Sequence, residues 1–363
     1  MSRVDNDGPG VVRGVEDDAS VGGLEVGSLP LQPSGPGRGG RRRLLIRNGL
    51  ALLLLLALAL LPLASDIVSA YTYVIQICMT GLMWVTFSTS WNILGGFTGY
   101  VSLGHNVFIA IGAYFSGYLL VFHGWSPFAT APIAGVLCVV LGIIVGFVTL
   151  RTYGDAFIIA TIALLLLVRI SLEQWDYLGG TTGLNLPINV EADPQFAQVP
   201  YYYAMLILAV LSVLLSHRVA HSKLGLGLRA LAEDEIKATV AGVNVRLYKI
   251  VAYALSALFI GMAGVIWAYS LSYITPSQFL TLQIAAQMML MAVLGGRGTV
   301  AGPVIGAVIM VAIDEVSTTL FGSSEVNLTV TGVLLVGVLL LFPSGVVGSL
   351  RSRNKLPGVF DWD

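Results

Sequence analysis

"YTYVIQICMTGLMWVTFSTSWNILGGFTGYVSLGHNVFIAIGAYFSGYLL", residues 71–120, contains no Asp, Glu, Lys or Arg. It lies inside a longer charge-free run, 67–150, and two further runs follow at 250–296 and 326–350. A helix crossing a bilayer needs about 20 mostly apolar residues, so the first run holds several spans and the others at least one each. Composition agrees, because 56% of the 363 residues are apolar and only 11% are charged, against about 25% charged in soluble domains. The fold class is therefore all-α: a polytopic transmembrane helical bundle with some broken or re-entrant segments.

Working outward, ten apolar segments are drawn at 45–65, 71–94, 105–122, 128–150, 155–172, 201–217, 248–271, 281–296, 300–320 and 327–343. Lys and Arg concentrate in cytoplasmic loops, so the charges test the drawing. Alternating sides from an inside start puts 18 of the 19 basic residues inside, and both termini are predicted cytoplasmic. The exception, Arg169, stands four residues before Glu173, where a helix would pair the two. The loop 173–200, predicted outside, has four carboxylates and no cation. Residues 1–40 are rich in Gly, Pro, Asp and Val without periodicity and read as a disordered cytoplasmic tail; 351–363 form a second cytoplasmic tail. "RRRLLIR" followed by "NGLALLLLLALALLPLAS" has the look of a signal peptide, but forty residues precede it, and a retained first span is favoured.

Within the opening stretch, "LGGFTGYVSLG" (94–104) concentrates glycine where chain should be helical, although glycine in a helix interior is unfavourable by roughly 1 kcal/mol relative to alanine. "LGGRGTVAGPVIGA" (294–307) does the same around Pro303. Non-helical backbone survives at membrane depth only when buried in protein or lining a wet cavity. Paired Gly/Pro-interrupted segments point to a transporter site, while small residues also allow plain close helix packing. On the first reading Gly95, Gly96, Thr98, Gly99, Tyr100, Ser102, Gly104 and His105, with Gly295, Gly296, Gly302 and Pro303, are candidate pathway residues. Thr98, Gly99, Tyr100, Ser102 and Gly104 would offer free donors to an anionic group before the helix resumes near His105. A third glycine element, "LGGTTGLNLP" (178–187), is a gate, a docking surface or a turn.

The one long polar insertion on the predicted inside is 218–249. Leu224, Leu228, Leu231, Ala232, Ile236 and Val240 recur at helical spacing, and Gly242 follows as a left-handed terminator would. This reads as one short amphipathic helix. A lipid-surface helix would be strongly basic; the acidic triplet Glu233, Asp234, Glu235 favours a protein partner instead.

Other chemistry is missing. There is no Gly-Lys dipeptide, hence no Walker A loop, and no HExxH. No catalytic set is legible, no metal site is expected, and no cofactor is expected in this chain. Cys78 and Cys138 sit in apolar segments as buried thiols. His217 and His221 share a helix face without a third ligand. Ionisable groups in the spans reduce mainly to Asp314 and Glu315, which argues against an ion-driven carrier.

"GGFTGYVSLGHNVFIAIGAY" (95–114), "GGTTGLN" (179–185), "LGLRALAEDEIKATVAGVNV" (226–245), "LGGRGTVAGPVIGA" (294–307) and "FPSGVVGSL" (342–350) occur in order. Together they resemble the branched-chain amino acid ABC transporter permeases of the LivM type, from about residue 70 to 350. The resemblance implies an inner- or plasma-membrane permease subunit for leucine, isoleucine and valine. It implies a second, similar permease subunit as heterodimer partner, two cytoplasmic ATPase subunits that bind the ATP, and an extracytoplasmic solute-binding protein. It implies that Leu228, Arg229, Ala230, Glu233, Asp234, Glu235 and Gly242 belong to the ATPase-coupling loop. Related permeases move urea or short amides, which is the alternative within transport; an ion-coupled carrier or channel acting alone is the alternative outside it.

Overall fold

A computed structural model describes residues 52–63, 71–152, 154–187, 198–271, 273–322 and 345–352, with Gly49 and single positions between 329 and 340. The expected tail 1–40, nearly all of 351–363, residues 188–197 of the 173–200 loop and most of the tenth segment lie outside the described residues.

The other nine segments are helices. They are α1 (Leu52–Leu63), α2 (Tyr71–Gly95), α3 (Asn106–His123), α4 (Pro127–Thr149), α5 (Asp155–Glu173), α6 (Val199–Ala220), α9 (Val245–Leu271), α11 (Leu282–Gly296) and α12 (Ala301–Phe321). Between them come two short helices, α7 (Lys223–Glu233) and α8 (Glu235–Val240), the turn α10 (Pro276–Phe279), and a last helix, α13 (Gly345–Ser352). Seven helical stretches among the described residues are long and apolar enough to cross a membrane. At 25 residues, α2 is about 37 Å long, and it is the most polar of the long helices because Thr86, Ser88, Thr89, Ser90 and Asn92 are buried along its second half.

Helix ends follow local rules. Gly124 closes α3 in the left-handed conformation (φ 68°), its N–H donating to Leu120 O, while the Trp125 N–H reaches Leu119 O. Proline stands in the first turn of α4, α6 and α10, where its missing N–H costs nothing. Thr281 caps α11 by accepting from the Ile284 N–H at 3.3 Å.

The bundle is organised around α9, which packs against α2, α3, α4 and α6 and buries Tyr253, Ile260, Val265 and Ile266. Hydrocarbon gives helices little hydrophobic reason to associate, so close packing must hold them. The α3–α9 crossing shows how: a methyl placed on Gly112 would lie 2.2 Å from Gly261 O, a contact that only glycine avoids. The opposite flank, on α4 and α5, exposes Val136, Val140, Ile144, Ile159 and Leu167, an apolar face suited to lipid.

The two ends of the bundle differ. Arg151, Arg246, Lys249 and Arg297 gather at one, which we call the basic end; Arg151 and Arg246 both stack on the Phe147 ring there. At the other end, Arg169 Nε donates to Glu173 Oε1 at 2.8 Å, the i, i+4 pair expected from the sequence. The 178–187 glycine element is an ordered turn at that end. Its strand β1 (Leu184–Asn185) pairs antiparallel with β2 (Tyr273–Ile274), just past α9, and Leu186 and Ile274 are buried beneath it.

Candidate functional site

The two glycine stretches, two hundred residues apart in sequence, meet at the basic end. Asn92, in the last turn of α2, donates from Nδ2 to Thr299 O at 2.9 Å and accepts from the Gly298 N–H at 3.1 Å. Arg297 reaches back with Nε to Gly95 O (2.9 Å) and Nη2 to Gly99 O (2.5 Å). Burial of that guanidinium pulls its pKa below the usual arginine value. Ser88 Oγ donates to Pro303 O at 3.2 Å. Within the second stretch, glycine serves the α11–α12 corner: a methyl on Gly295 would fall 1.6 Å from Gly302 O, and one on Gly302 2.3 Å from Gly296 O. Beneath that corner, Val347 of α13 packs against Gly296.

The first stretch is re-entrant. Helix α2 stops at Gly95, and residues 96–105 turn back into the bundle as non-helical chain. Tyr100 lies against Lys249 near the foot of α9, while His105 Nε2 meets Ser256 Oγ (2.9 Å), seven residues further along. At 1.5 Å per residue the segment therefore climbs about 10 Å into the bundle. Gly99 makes the turn with φ 84°, a conformation that costs other residues roughly 1–2 kcal/mol.

At Thr98, Tyr100 and Gly104 the expectation of free donors is corrected. Thr98 Oγ1 donates to Leu94 O at 2.7 Å and accepts from the Tyr100 N–H at 3.2 Å. The Leu103 N–H donates to Thr161 Oγ1 of α5, Trp91 Nε1 of α2 donates to Ser102 O at 2.8 Å, and the Gly104 N–H donates to Ser102 Oγ. Descending backbone without water must find partners inside the protein, and here α2 and α5 supply them. Where α3 begins, Asn106 Nδ2 donates to Phe279 O and Thr281 O, tying the segment to the α10–α11 junction.

A second correction concerns the coupling loop. It is two helices, not one. Asp234 adopts an extended backbone (φ −161°, ψ 115°) and its carboxylate accepts from the Ile236 and Lys237 N–H groups at 2.9 and 3.0 Å, capping α8. The Lys237 backbone hydrogen bond is the main cause that holds this carboxyl below the ordinary aspartate range. A side chain able to satisfy the first N–H groups of a new helix ends the old one. Beyond the break Ile236 and Val240 are 77% and 84% exposed, while Leu228 and Leu231 before it are buried. Leu226, Arg229 and Glu233 are exposed on α7, and Ala230 is half-buried. Gly242 has φ 86°, so the left-handed terminator stands.

What joins loop and segment is a triad that sequence reading missed. Lys249 Nζ donates to Glu235 Oε1 (2.6 Å) and Tyr100 OH (2.6 Å), while the Tyr100 hydroxyl donates to Glu235 Oε2 (2.5 Å). The Lys249 side chain is 1% exposed, with its ammonium 4.1 Å from the Tyr100 ring centre. Phe157 backs that ring edge-on at 5.5 Å, and Gly99 rests on Ala232 of α7. Glu235 of α8, Tyr100 of the re-entrant segment and Lys249 of the central helix thus move together or not at all. Lone polar residues at the margins of apolar runs were the available signal: Lys249 immediately precedes the charge-free run 250–296, and Asn92 is the one carboxamide of the second half of α2.

Comparison with known proteins follows the same outline. The family described as branched-chain amino acid transport system / permease component matches residues 73–339. The high-affinity branched-chain amino acid transport system permease protein LivM of Escherichia coli (strain K12) is 28% identical over 308 residues, spanning 78% of this chain and 72% of that protein. LivH of the same organism, a permease protein of a system of the same description, is 30% identical over 130 residues, 36% of this chain and 41% of LivH. The autoinducer 2 import system permease protein LsrC of Salmonella paratyphi B is 28% identical over 218 residues, 57% of this chain and 62% of LsrC. No solved structure matches. The matched region takes in α2, the re-entrant segment, the α7–α8 loop and the glycine corner alike, and on that footing the chain belongs to the family of branched-chain amino acid transport system permease components.

Proposed function

We propose that this chain is one half of the permease pair of an ATP-driven importer for leucine, isoleucine and valine, working by alternating access. The second half is a similar permease subunit, as the likeness to both LivM and LivH supports. Two ATPase subunits, which bind the nucleotide, engage α7 and α8 at the basic end. A solute-binding protein delivers cargo at the other end. The basic end is then cytoplasmic, because Arg and Lys mark that side, and the re-entrant segment 96–105 forms the cytoplasmic-side wall of the pathway.

The observation that carries this reading is the triad. Leu226, Arg229, Glu233, Ile236 and Val240 offer an apolar surface with charges of both signs, and behind it Glu235 is bonded to Tyr100 and Lys249. A push on α8 therefore reaches a segment of irregular backbone that descends into the bundle. An exposed apolar patch rimmed by charge suits a protein partner.

Replacing Glu233 by Lys tests the surface, because Glu233 is exposed and its loss disturbs no bond of the triad. The variant should insert and pair normally, yet fail to copurify with the ATPase subunits or lose leucine uptake. Unchanged ATPase recruitment together with unchanged uptake would remove α7–α8 as the coupling element. In the wild-type importer, isoleucine and valine should compete with leucine, and urea should not.

A further inference from the structure

A cavity among the described residues lies outside the site just described. It lies between α2, α11 and α12, has a volume of about 370 Å³, opens to the outside where Tyr73, Gln76 and Asp314 are exposed, and runs from Tyr73 near the start of α2 to Trp84 near that helix's middle. It thus occupies the half of the bundle away from the basic end. Six polar side chains line it: Tyr73, Gln76, Thr80, Gln287, Asp314 and Glu315. Its apolar wall includes Trp84, Met291 and Met310, the two methionines buried. No Lys, Arg or His lines it. The Tyr73 hydroxyl donates to Glu315 Oε1 across the rim.

Three properties together limit what this cavity does. First, it does not face hydrocarbon. Carboxylates and carboxamides on a spanning surface turn toward protein or water, and the lipid-suited face of this chain is the apolar one on α4 and α5. Second, its volume stands at the small end of ligand sites, which run from about 300 to 1,000 Å³. Third, its chemistry is divided. Two carboxylates without a basic partner attract a cationic group, two carboxamides can donate N–H, and a thioether and indole wall accepts an aliphatic chain. An amino acid with an aliphatic side chain has all three complements in one small molecule.

We propose that this cavity is a solute-binding station on the import route, in which Asp314 and Glu315 receive the ammonium group, Gln76 and Gln287 face the carboxylate, and Met291, Met310 and Trp84 hold the aliphatic side chain. The proposal rests on the importer reading and adds a location and a basis for selection. Asp314 and Glu315 then have a cargo-recognition role in a chain whose spans hold few other ionisable groups. The methionines give an adaptable wall, which fits a site that takes leucine, isoleucine and valine alike.

The test uses the complete importer in proteoliposomes: both permeases, both ATPases and the solute-binding protein. Asp314→Asn and Glu315→Gln should each lower labelled-leucine uptake by about tenfold or more, while ATP hydrolysis stimulated by the loaded solute-binding protein persists. A diazirine analogue of leucine, flashed on the wild-type importer, should label peptides from 73–84, 287–291 or 310–315, and excess leucine should suppress the label. Wild-type uptake in both variants overturns the station, as does leucine-suppressible labelling confined to other segments. Should either variant fail to assemble, the labelling of the wild-type importer decides alone. Absence of leucine uptake by the wild-type importer would instead sink the importer reading itself.

Discussion

Neutralising Glu235 is the perturbation that most directly tests the link between coupling loop and re-entrant segment. Its carboxylate lies 2.6 Å from Lys249 Nζ, and the two side chains are 25% and 1% exposed. With an effective dielectric of about 20, attraction at that separation is about 6 kcal/mol, and the cost of desolvating both ions offsets much of it. Removing one partner is worse than removing both, because the other charge stays buried; for fully buried pairs the loss is about 3–5 kcal/mol. Glu235 retains some water contact, so Glu235→Gln belongs at the lower end, about 3 kcal/mol, or roughly a hundredfold in the docked-to-released equilibrium of α8. Amide hydrogen exchange over 235–242 in the assembled importer should then speed up by about that factor, and leucine moved per ATP hydrolysed should fall. Glu235→Leu combined with Lys249→Met removes both charges and should recover most of the lost protection, since apolar replacement of a buried pair is often neutral. Exchange in Glu235→Gln within about twofold of wild type, or a double variant no better protected than the single one, would refute the argument that this pair holds α8 to the bundle.

The remaining predictions concern packing and capping. Gly302→Ala places a methyl 2.3 Å from Gly296 O, so the α11–α12 corner must open at about 1–3 kcal/mol; its unfolding midpoint in detergent should fall by several degrees, while Gly81→Ala, which meets nothing within 4 Å, should not lower it. Equal midpoints for the two variants would refute the close-approach account. The Asp234 cap should be insensitive to pH from 8 to 5 and weaken in acid: its folded pKa is depressed from 3.8, so the stabilisation is complete above that value and is lost as pH falls through the folded one. Exchange at the Ile236 and Lys237 amides should therefore show an acid-dependent loss of protection, beyond the intrinsic pH trend, that Asp234→Asn lacks.

Element type and order were legible because hydrocarbon allows little choice. A charge-free run must satisfy its backbone internally, so 71–94 and 105–122 could only be helices, and they are α2 and α3 to within two residues. The local pairs were legible for a related reason: Arg169 and Glu173 stand four residues apart, and helix geometry alone brings them together. The break at Asp234 was not, although its residue type allowed it. Leu224, Leu228, Ala232, Ile236 and Val240 recur every four residues, and periodicity does not register a cap inside a continuous pattern. The capping carboxylate outweighs the pattern because it satisfies two N–H groups at once.

The same limit explains the site. Gly95 to Gly104 announced irregular backbone, but sequence left undecided whether its polar groups faced a solute or the protein. That depended on Thr161, Trp91, Arg297 and Glu235, which lie between 11 and 202 residues from the carbonyls, amides and hydroxyls they engage. Once those partners are in place, the segment is better suited to transmit force than to hold cargo. Its glycines supply turns and close approach, and Thr98, Tyr100, Leu103 and Gly104 spend their donors on neighbours. Recognition then needs polar groups not committed in this way, and Gln76, Gln287 and Asp314 in the proposed α2–α11–α12 station are such groups. The proposed coupling at the basic end and the proposed recognition in the opposite half would both use α2, through Asn92 and Ser88 at one end and Gln76 and Thr80 at the other. A tilt of that one helix would release the first set as it closes the second, which is the mechanical requirement of alternating access.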